Sequence, residues 1–239
     1  DAYADGRVEV EGDLVTFLEA MYQAVPDGGA GRSFPPRGVR WLERSRRNTL
    51  KGSRDNIGHH YDIGNEFYAL WLGATMAYTC AYYPQPDSTL DQAQRAKFDH
   101  VCRKLWLQPG ERVIEAGCGW GGLALHMARH YGVKVRAFNI SREQVAWARE
   151  RASAAGLADQ VEFVEDDYRN IDGRCDAFVS VGMLEHVGVE NYAGLGEVIA
   201  RCLEPRGRGL IHSIGRNRPA KYTPFPTRRS SDLDRKSVV

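Results

Sequence analysis

The sequence lacks any Cys-x-x-Cys pair, and its five cysteines are an odd number. They are scattered along the chain at Cys80, Cys102, Cys118, Cys175 and Cys202. This distribution argues against a framework of disulfide bonds and against a structural zinc site, so we expect no metal. It is typical of a reducing, cytoplasmic compartment, where most such cysteines are small buried hydrophobic residues.

Long apolar runs and an excess of one charge are also missing. No run approaches the roughly 20 apolar residues of a membrane-spanning helix. The 32 basic and 31 acidic residues leave a net charge of +1, which gives no reason to expect a nucleic-acid partner. Because residue 1 is Asp and not Met, we expect that the natural N-terminus lies upstream.

The first part of the chain has no regular alternation of elements. An amphipathic helix is predicted from about Leu14 to Ala24, with Asp13 as its N-cap. Residues 26–38 are rich in glycine and proline and are typical of a linker. The segment VRWLERSRRNTLKGSR that follows is strongly basic, and a solvated helix face explains it better than a membrane-surface patch.

From Ser88 onwards, helical and extended patterns alternate. Ser88 or Thr89 is expected to cap a helix, Ser141 and Gln144 predict a capping box further on, and EPRG predicts a turn before the last strand. The alternation predicts an α/β fold with a doubly wound, mostly parallel sheet, which binds ligands at the carboxyl ends of its strands. The strands are predicted at 111–116, 133–138, 161–164, 175–181 and 208–214.

The first strand ends in the glycine-rich stretch VIEAGCGWGG, which fits a dinucleotide site by one spacing. Gly117, Gly119 and Gly122 match the pattern G-x-G-x-x-G. A dinucleotide site also needs an acid about 20 residues further on to hold a ribose. Asn139 stands there, and this weakens the dinucleotide interpretation.

The same stretch fits S-adenosylmethionine by a tighter spacing that ends at Gly121. This donor has no pyrophosphate, and its polar and cationic groups suit an acid near the end of the strand. Glu115 lies two residues before Gly117 and meets that requirement. A glycine turn that binds no ligand is less favoured, because glycines in a helical segment cost roughly 1 kcal/mol each.

The motifs NIGHHYDIGNEFYALWL, MAYTCAYY, VIEAGCGWGG, NISREQ, DDYRNI, SVGMLEHVG and GLIHSIGRNRPA occur in this order along the chain. Together they resemble those of the cyclopropane-fatty-acyl-phospholipid synthase family, which includes the mycolic acid cyclopropane synthases. The resemblance covers about residues 48–220. It implies the Rossmann-like fold of the class I S-adenosylmethionine-dependent methyltransferases.

The resemblance implies S-adenosylmethionine as co-substrate and a set of residues that bind it. Tyr78 and Thr79 would meet its methionine end, and Tyr168 and Arg169 would flank its adenine. The residues from Asn139 to Gln144 would reach the ribose and the adenine. The implied donor-binding set is Tyr78, Thr79, Glu115, Gly117, Gly119, Gly121, Asn139, Ile140, Gln144, Tyr168 and Arg169.

The resemblance also implies a bound bicarbonate ion, which serves as base when a methylated carbocation closes to a cyclopropane ring. Four residues match the family's positions for this ion: Cys80, Glu185, His212 and the backbone of Ile214. His186 is interpreted as structural. A dry aromatic pocket would protect the cation. The candidates for it are Tyr61, Phe67, Tyr68, Trp71, Tyr82 and Tyr83, of which we expect about half to be simple core.

The resemblance is incomplete at both ends of the chain. Residues 1–47 are similar to the end of the family's N-terminal domain and a linker, and 48–220 form an incomplete catalytic domain. The segment 221–239 does not resemble the family and has the appearance of translated sequencing adapter, so a non-native tail is expected. The family's last bicarbonate-binding tyrosine and its C-terminal strands are not found, so we expect this chain to be inactive.

Three functions stay open at this point. The first is cyclopropane synthesis on phospholipid acyl chains at the membrane surface, by a cytoplasmic protein on the inner membrane face that can form a homodimer. The second is a methyltransferase that acts on a lipid or small molecule without ring closure. The third is a non-catalytic module that binds lipid or NAD.

Overall fold

The computed structural model describes residues 9–23 and 64–215. The predicted linker, the basic segment after it, Tyr61 and the 221–239 segment lie outside these ranges. The chain divides into two compact units, Asp1–Arg46 and Arg47–Val239. In the first unit, helix α1 spans Leu14–Gln23. The Asp13 carboxylate accepts hydrogen bonds from the backbone N–H and the hydroxyl of Thr16, at 2.7 and 2.8 Å, which confirms the predicted N-cap.

The second unit contains a regular succession of helices and strands. Short 3₁₀ turns at Tyr168–Asn170 and Val189–Asn191 interrupt it. The helices are α2 (Asn65–Leu72), α3 (Leu90–Lys104), α4 (Gly122–Tyr131), α5 (Arg142–Ala154), α6 (Leu184–Val187) and α7 (Tyr192–Cys202). The strands are β1 (Arg112–Ala116), β2 (Lys134–Asn139), β3 (Val161–Glu165), β4 (Cys175–Val181) and β5 (Leu203–His212).

All five strands pair in parallel, in the order β3-β2-β1-β4-β5. The chain builds outward from β1 to β3 and then crosses back to place β4 on the other side of β1. The connections from β1 and β4 therefore leave in opposite directions, and this creates a crevice at the carboxyl ends of the two strands. The predicted doubly wound α/β fold is confirmed.

The core lies on both faces of the sheet because neighbouring residues of a strand point to opposite sides. Val113 packs into a cluster with Phe98 of α3 and Leu123 of α4. The next residue, Ile114, packs on the other face with Val198 of α7. This two-sided burial explains why β1 and β4 have apolar sequences without a polar alternation.

The cysteines follow the sequence prediction, since four of the five are buried. Cys102, Cys118, Cys175 and Cys202 lie in the interior, whereas Cys80 is exposed. Burial raises the pKa of the Cys118 thiol well above its usual value, so this thiol stays protonated and unreactive at neutral pH.

The predicted turn at EPRG is wrong, because these residues belong to strand β5. Leu203 lies opposite Cys175, and Arg208 lies opposite Ala177. The four residues 204–207 therefore oppose a single residue of β4 and form a bulge within the strand. Proline and glycine are tolerated at such a bulge, so the same residue types that indicate a turn also occur inside an irregular strand.

Helix α3 begins with a capping box, and the cap is Thr89. The Thr89 hydroxyl accepts a hydrogen bond from the backbone N–H of Gln92 at 3.3 Å. The Gln92 side chain accepts one from the backbone N–H of Thr89 at 2.8 Å. Two N–H groups that would otherwise lack a helical partner are satisfied in this way.

Replacing Thr89 with Ala should lower the free energy of unfolding by about 1 kcal/mol, because the cap is lost. Chemical denaturation with circular dichroism detection measures this change. Ser88→Ala is the matched control, since Ser88 precedes the cap, and it should leave the midpoint unchanged. A smaller loss for Thr89→Ala than for Ser88→Ala would contradict the assignment of the cap.

Candidate active site

A cavity opens at the carboxyl ends of β1, β2 and β4, where the sheet topology predicts a ligand. One wall is the glycine loop after β1, and another is the segment 181–183 at the end of β4. Asn139 closes the side of β2. The last wall is the segment 76–79, which lies between α2 and α3 and is called here the wall segment.

Most of the predicted donor-binding residues line this cavity. Their roles stay predictions, but the fold brings them together from four separate segments of the sequence. The residues concerned are Tyr78, Thr79, Glu115, Gly117, Gly119, Asn139 and Gln144.

Four predicted donor-binding residues are not among those that line the cavity. Ile140 follows β2 outside the lining, and Tyr168 packs against the core cluster beneath α7. The Arg169 guanidinium is held by the Asp167 carboxylate, with two N–O distances of 2.7 Å. An added Cβ at Gly121 would lie 2.5 Å from the Phe163 ring, so this glycine permits close packing of α4 on the sheet.

Gly122 permits a second close approach, between α4 and the chain just before the wall segment. An added Cβ at this position would lie 2.5 Å from the carbonyl oxygen of Thr75. The Arg151 guanidinium of α5 donates to the same carbonyl at 3.2 Å and to that of Ala74 at 2.9 Å. The start of α4 and the Arg151 side chain of α5 together fix the position of the wall segment.

Asn139 and Gln144 form a hydrogen-bonded pair at the β2 side of the cavity. The Asn139 amide donates to the Gln144 side-chain oxygen at 2.6 Å and to the Gly119 carbonyl at 3.3 Å. The predicted capping box at Ser141 is therefore only half formed. Ser141 accepts from the backbone of Gln144 at 3.4 Å, but the side chain of Gln144 faces Asn139.

Glu115 is a buried carboxyl group inside the cavity, 3% exposed. Its Oε2 atom is buried and has no hydrogen-bond partner. Burial raises the pKa of Glu115 to about 8, although the Lys97 ammonium and a backbone hydrogen bond from Ala124 oppose the rise. An unpartnered buried carboxyl oxygen that faces a cavity is suited to a cationic ligand.

Lys97 is a cavity-lining residue that the sequence analysis did not single out. It projects from α3 into the same cavity, is 6% exposed, and donates a hydrogen bond to the Thr79 hydroxyl. A signal was present in the sequence, because Gln94 and Lys97 are polar residues on the otherwise apolar stripe of an amphipathic helix. His186 was interpreted as structural, but it also lines the cavity.

Three of the four residues proposed for the bicarbonate site are neighbours at the ends of β4 and β5. The Glu185 carboxylate, in the short helix α6, accepts a hydrogen bond from the backbone N–H of Ile214 at 2.7 Å. His212 ends β5 as a buried side chain whose Nδ1 has no partner. Burial lowers the pKa of His212, Lys97 lowers it further, and Glu185 opposes the change. Cys80 is exposed on the wall-segment side.

The aromatic residues predicted to protect the cation lie mostly at the surface. Among the described candidates, Tyr68 is buried in a cluster with Trp120, whereas Phe67, Trp71, Tyr82 and Tyr83 are exposed. None of these five candidates lines the cavity, and the expectation that about half are core is wrong for them. The aromatic residues of the lining are Tyr78, Phe98 and Trp120.

The strand order, the glycine loop after β1 and the buried acid beside it define the class I S-adenosylmethionine-dependent methyltransferase fold, which is Rossmann-like. Within this class the comparison with protein families is specific. The model described as mycolic acid cyclopropane synthetase matches residues 48–227, so the chain belongs to this family.

Individual relatives agree with the family. A probable fatty acid methyltransferase of Pseudomonas putida is 45% identical over 89% of this chain and 53% of its own length. A cyclopropane-fatty-acyl-phospholipid synthase of Escherichia coli K12 is 46% identical over 65% of this chain and 40% of its own. The crystal structure of mycolic acid cyclopropane synthase CmaA1 complexed with SAH and CTAB superposes with a TM-score of 0.64 at 32% identity, covering 66% of this chain and 56% of that one. The chain thus spans about half the length of these relatives.

Gly122→Ala tests the close approach beside the wall segment. Because the Thr75 oxygen belongs to the backbone, the wall must shift, and we expect the free energy of unfolding to fall by about 1–3 kcal/mol. Gly196→Ala in α7 is the matched control, since an added Cβ there meets nothing within 4 Å. It should stabilise the protein by up to about 1 kcal/mol through helix propensity. Equal stabilisation of both variants would contradict the described contact.

Proposed function

We propose that this protein transfers a methylene group from S-adenosylmethionine to a cis double bond of a phospholipid acyl chain and so forms a cyclopropane ring. The observation that carries this proposal is that two groups of suitable residues lie at neighbouring strand ends, in a chain that belongs to this family. The cavity with the buried Glu115 suits a cationic donor, and the group formed by Glu185, His212 and Ile214 lies at the neighbouring strand ends.

The chemistry of the cavity supports S-adenosylmethionine as the donor. The donor carries a positive sulfonium and an ammonium group, and the unpartnered Oε2 of Glu115 belongs to a carboxyl group that offers a negative charge once it ionises. Its ribose hydroxyls require groups that both donate and accept, and the amides of Asn139 and Gln144 supply both. The comparison structure of CmaA1 contains SAH, the form that the donor takes after it loses its methyl group.

The reaction needs a strong electrophile, since an alkene is a weak nucleophile. The π electrons of the double bond form a new bond to the methyl carbon, and the pair of the broken C–S bond stays on sulfur. The positive charge passes to the acyl chain. A proton then leaves the new methyl group, and the electrons of that C–H bond close the three-membered ring.

The base is proposed to be a bicarbonate ion bound beside His212. The buried and unpartnered Nδ1 of His212 is suited to an oxygen of such an ion, and the Glu185 carboxylate can accept from its O–H group. When bound, bicarbonate supplies the base that removes the proton. The chain's own contribution is to hold Glu185 in place through the N–H of Ile214.

The surface of α2 supports a lipid substrate. Leu70 is 83% exposed, and Phe67 and Trp71 are also exposed on this helix. The Trp71 ring lies 5.1 Å from that of Tyr78, which lines the cavity, so apolar surface is continuous with the cavity wall. Contact with the inner face of the membrane through α2 is consistent with this arrangement. No helix in residues 9–23 and 64–215 has the length and apolarity needed to cross a bilayer.

The second candidate is methyl transfer to a fatty acid without ring closure. It is favoured by the name of the Pseudomonas putida relative, a probable fatty acid methyltransferase. The two reactions share the donor and the cation, and they differ in where the proton is lost. The residues around His212 therefore decide between them.

Gly119→Val tests the donor site. Gly119 lines the cavity with φ +53 and nothing within 4 Å of an added Cβ, so a branched side chain would occupy ligand space. Calorimetry should show that the affinity for S-adenosylmethionine falls by at least about tenfold. Gly156→Val is the matched control, because Gly156 has φ +66 and similarly open surroundings at the end of α5. It introduces the same backbone strain and should leave the affinity unchanged. Wild-type affinity in a folded Gly119→Val protein would refute the site.

Lipid mass spectrometry tests the reaction in cells that lack their own ring-forming enzyme and that express a full-length version of the protein, extended to the length of its relatives. The acyl chain should gain one CH₂, and a cyclopropane ring should replace its double bond. A branched product would instead support the second candidate. Glu185→Gln and His212→Ala should lower ring formation by at least about 10²-fold, since both act on the base, and leave donor affinity nearly unchanged. The exposed Glu197→Gln and His130→Ala are matched controls that should retain full ring formation, since neither residue lines the cavity. Full turnover in Glu185→Gln or His212→Ala would remove that residue from the mechanism.

A further inference from the structure

Lys97 is a lysine in the interior of the protein, and the proposed reaction assigns it no task. Its ammonium donates a hydrogen bond to the Thr79 hydroxyl and lies 4.8 Å from the centre of the Phe98 ring. A buried ammonium has lost most of its hydration, which is costly unless nearby groups compensate for it. A lysine at such a buried position therefore requires a structural or functional explanation.

The first role of this helix face is mechanical. Gln94, one turn before Lys97 on α3, donates from its amide to the carbonyl oxygens of Ala77 and Thr79, at 3.2 and 2.8 Å. With the bond from Lys97 to the Thr79 hydroxyl, α3 holds the wall segment at three points. The wall segment carries Tyr78 and Thr79, which face the donor cavity.

The second role is electrostatic. The titratable groups that face Lys97 are Glu115 on β1, Cys80 beside the wall segment and His212 at the end of β5. Burial lowers the pKa of Lys97 to about 8, and the Glu115 carboxyl opposes this change. The Lys97 ammonium in turn acts on Glu115, since it favours the ionised form of this carboxyl more than any other nearby group does.

We propose that Lys97 is a positioning residue of the donor site, which fixes Thr79 and allows the buried Glu115 carboxyl to ionise when the cationic donor binds. This inference rests on the proposed function, since it requires that S-adenosylmethionine occupies the cavity. Lys97 does not need to touch the donor, and it acts through Thr79 and Glu115.

The proposal makes a prediction about pH. The donor binds more tightly to the carboxylate than to the neutral acid, so its affinity should rise as the pH approaches the pKa of Glu115, which is about 8, from below. Without the ammonium at position 97, a higher pH is needed to ionise the same carboxyl. The rise in affinity should then occur at higher pH.

The experiment is calorimetry of S-adenosylmethionine binding to the whole chain, between about pH 6 and pH 9. Lys97→Met removes the charge and the hydrogen bond, and Lys97→Gln removes the charge but keeps a donor for Thr79. Both should weaken binding at pH 7 by at least about tenfold and move the rise in affinity upward by about one pH unit or more. Arg95→Met is the matched control, because it removes a positive charge from the exposed face of the same helix. Its affinity and pH profile should match those of the wild type.

A Glu115→Gln background isolates the electrostatic part. With no carboxyl to ionise, adding Lys97→Gln should weaken binding by less than about threefold. A wild-type pH profile in the Lys97 variants, or an equal loss of affinity at every pH, would overturn the proposed role of Lys97. Failure of the wild-type protein to bind the donor at any pH would instead overturn the proposed function.

Discussion

The placement of β4 beside β1 is the constraint on which the rest of this structure depends. Because the chain leaves these two neighbouring strands in opposite directions, no connection covers their carboxyl ends. The crevice collects the glycine loop after β1, Asn139 after β2 and the segment 181–183 after β4. The strand order alone therefore brings together residues that are far apart in the sequence, independently of any side-chain contact.

The crevice is also where the protein departs from an apolar interior. Glu115 lies on a strand whose neighbouring residues form the core, and Gln94 and Lys97 lie on a helix face that otherwise packs against that core. Each of these polar groups loses hydration on folding, and this loss has an energetic cost unless hydrogen bonds or opposite charges offset it. Their grouping at one place agrees with a site in which a charged ligand replaces the lost water.

Much of the fold could be predicted from the sequence, because apolar periodicity and glycine positions indicate where the strands and helices begin and end. The strands β1 to β4 and the helices between them lie close to their predicted positions. The bulge in β5 could not be predicted, since it depends on the register against β4. In the site, the glycine loop, Glu115 and Asn139 follow from motifs. Lys97 does not, because it lies on helix α3, between the motifs MAYTCAYY and VIEAGCGWGG and outside both. The ion pair between Asp167 and Arg169 also does not, because residue spacing alone does not show this contact.

Because of the bulge at residues 204–207, the length of chain that follows α7 does not fix the register of the second half of β5 against β4. Downstream of the bulge, the residues from Arg208 to His212 pair one to one with those from Ala177 to Val181. An insertion or deletion between 204 and 207 changes the bulge but leaves this register unchanged. The chain can therefore vary in length at the end of α7 during evolution or engineering without moving His212 relative to the ends of the other strands.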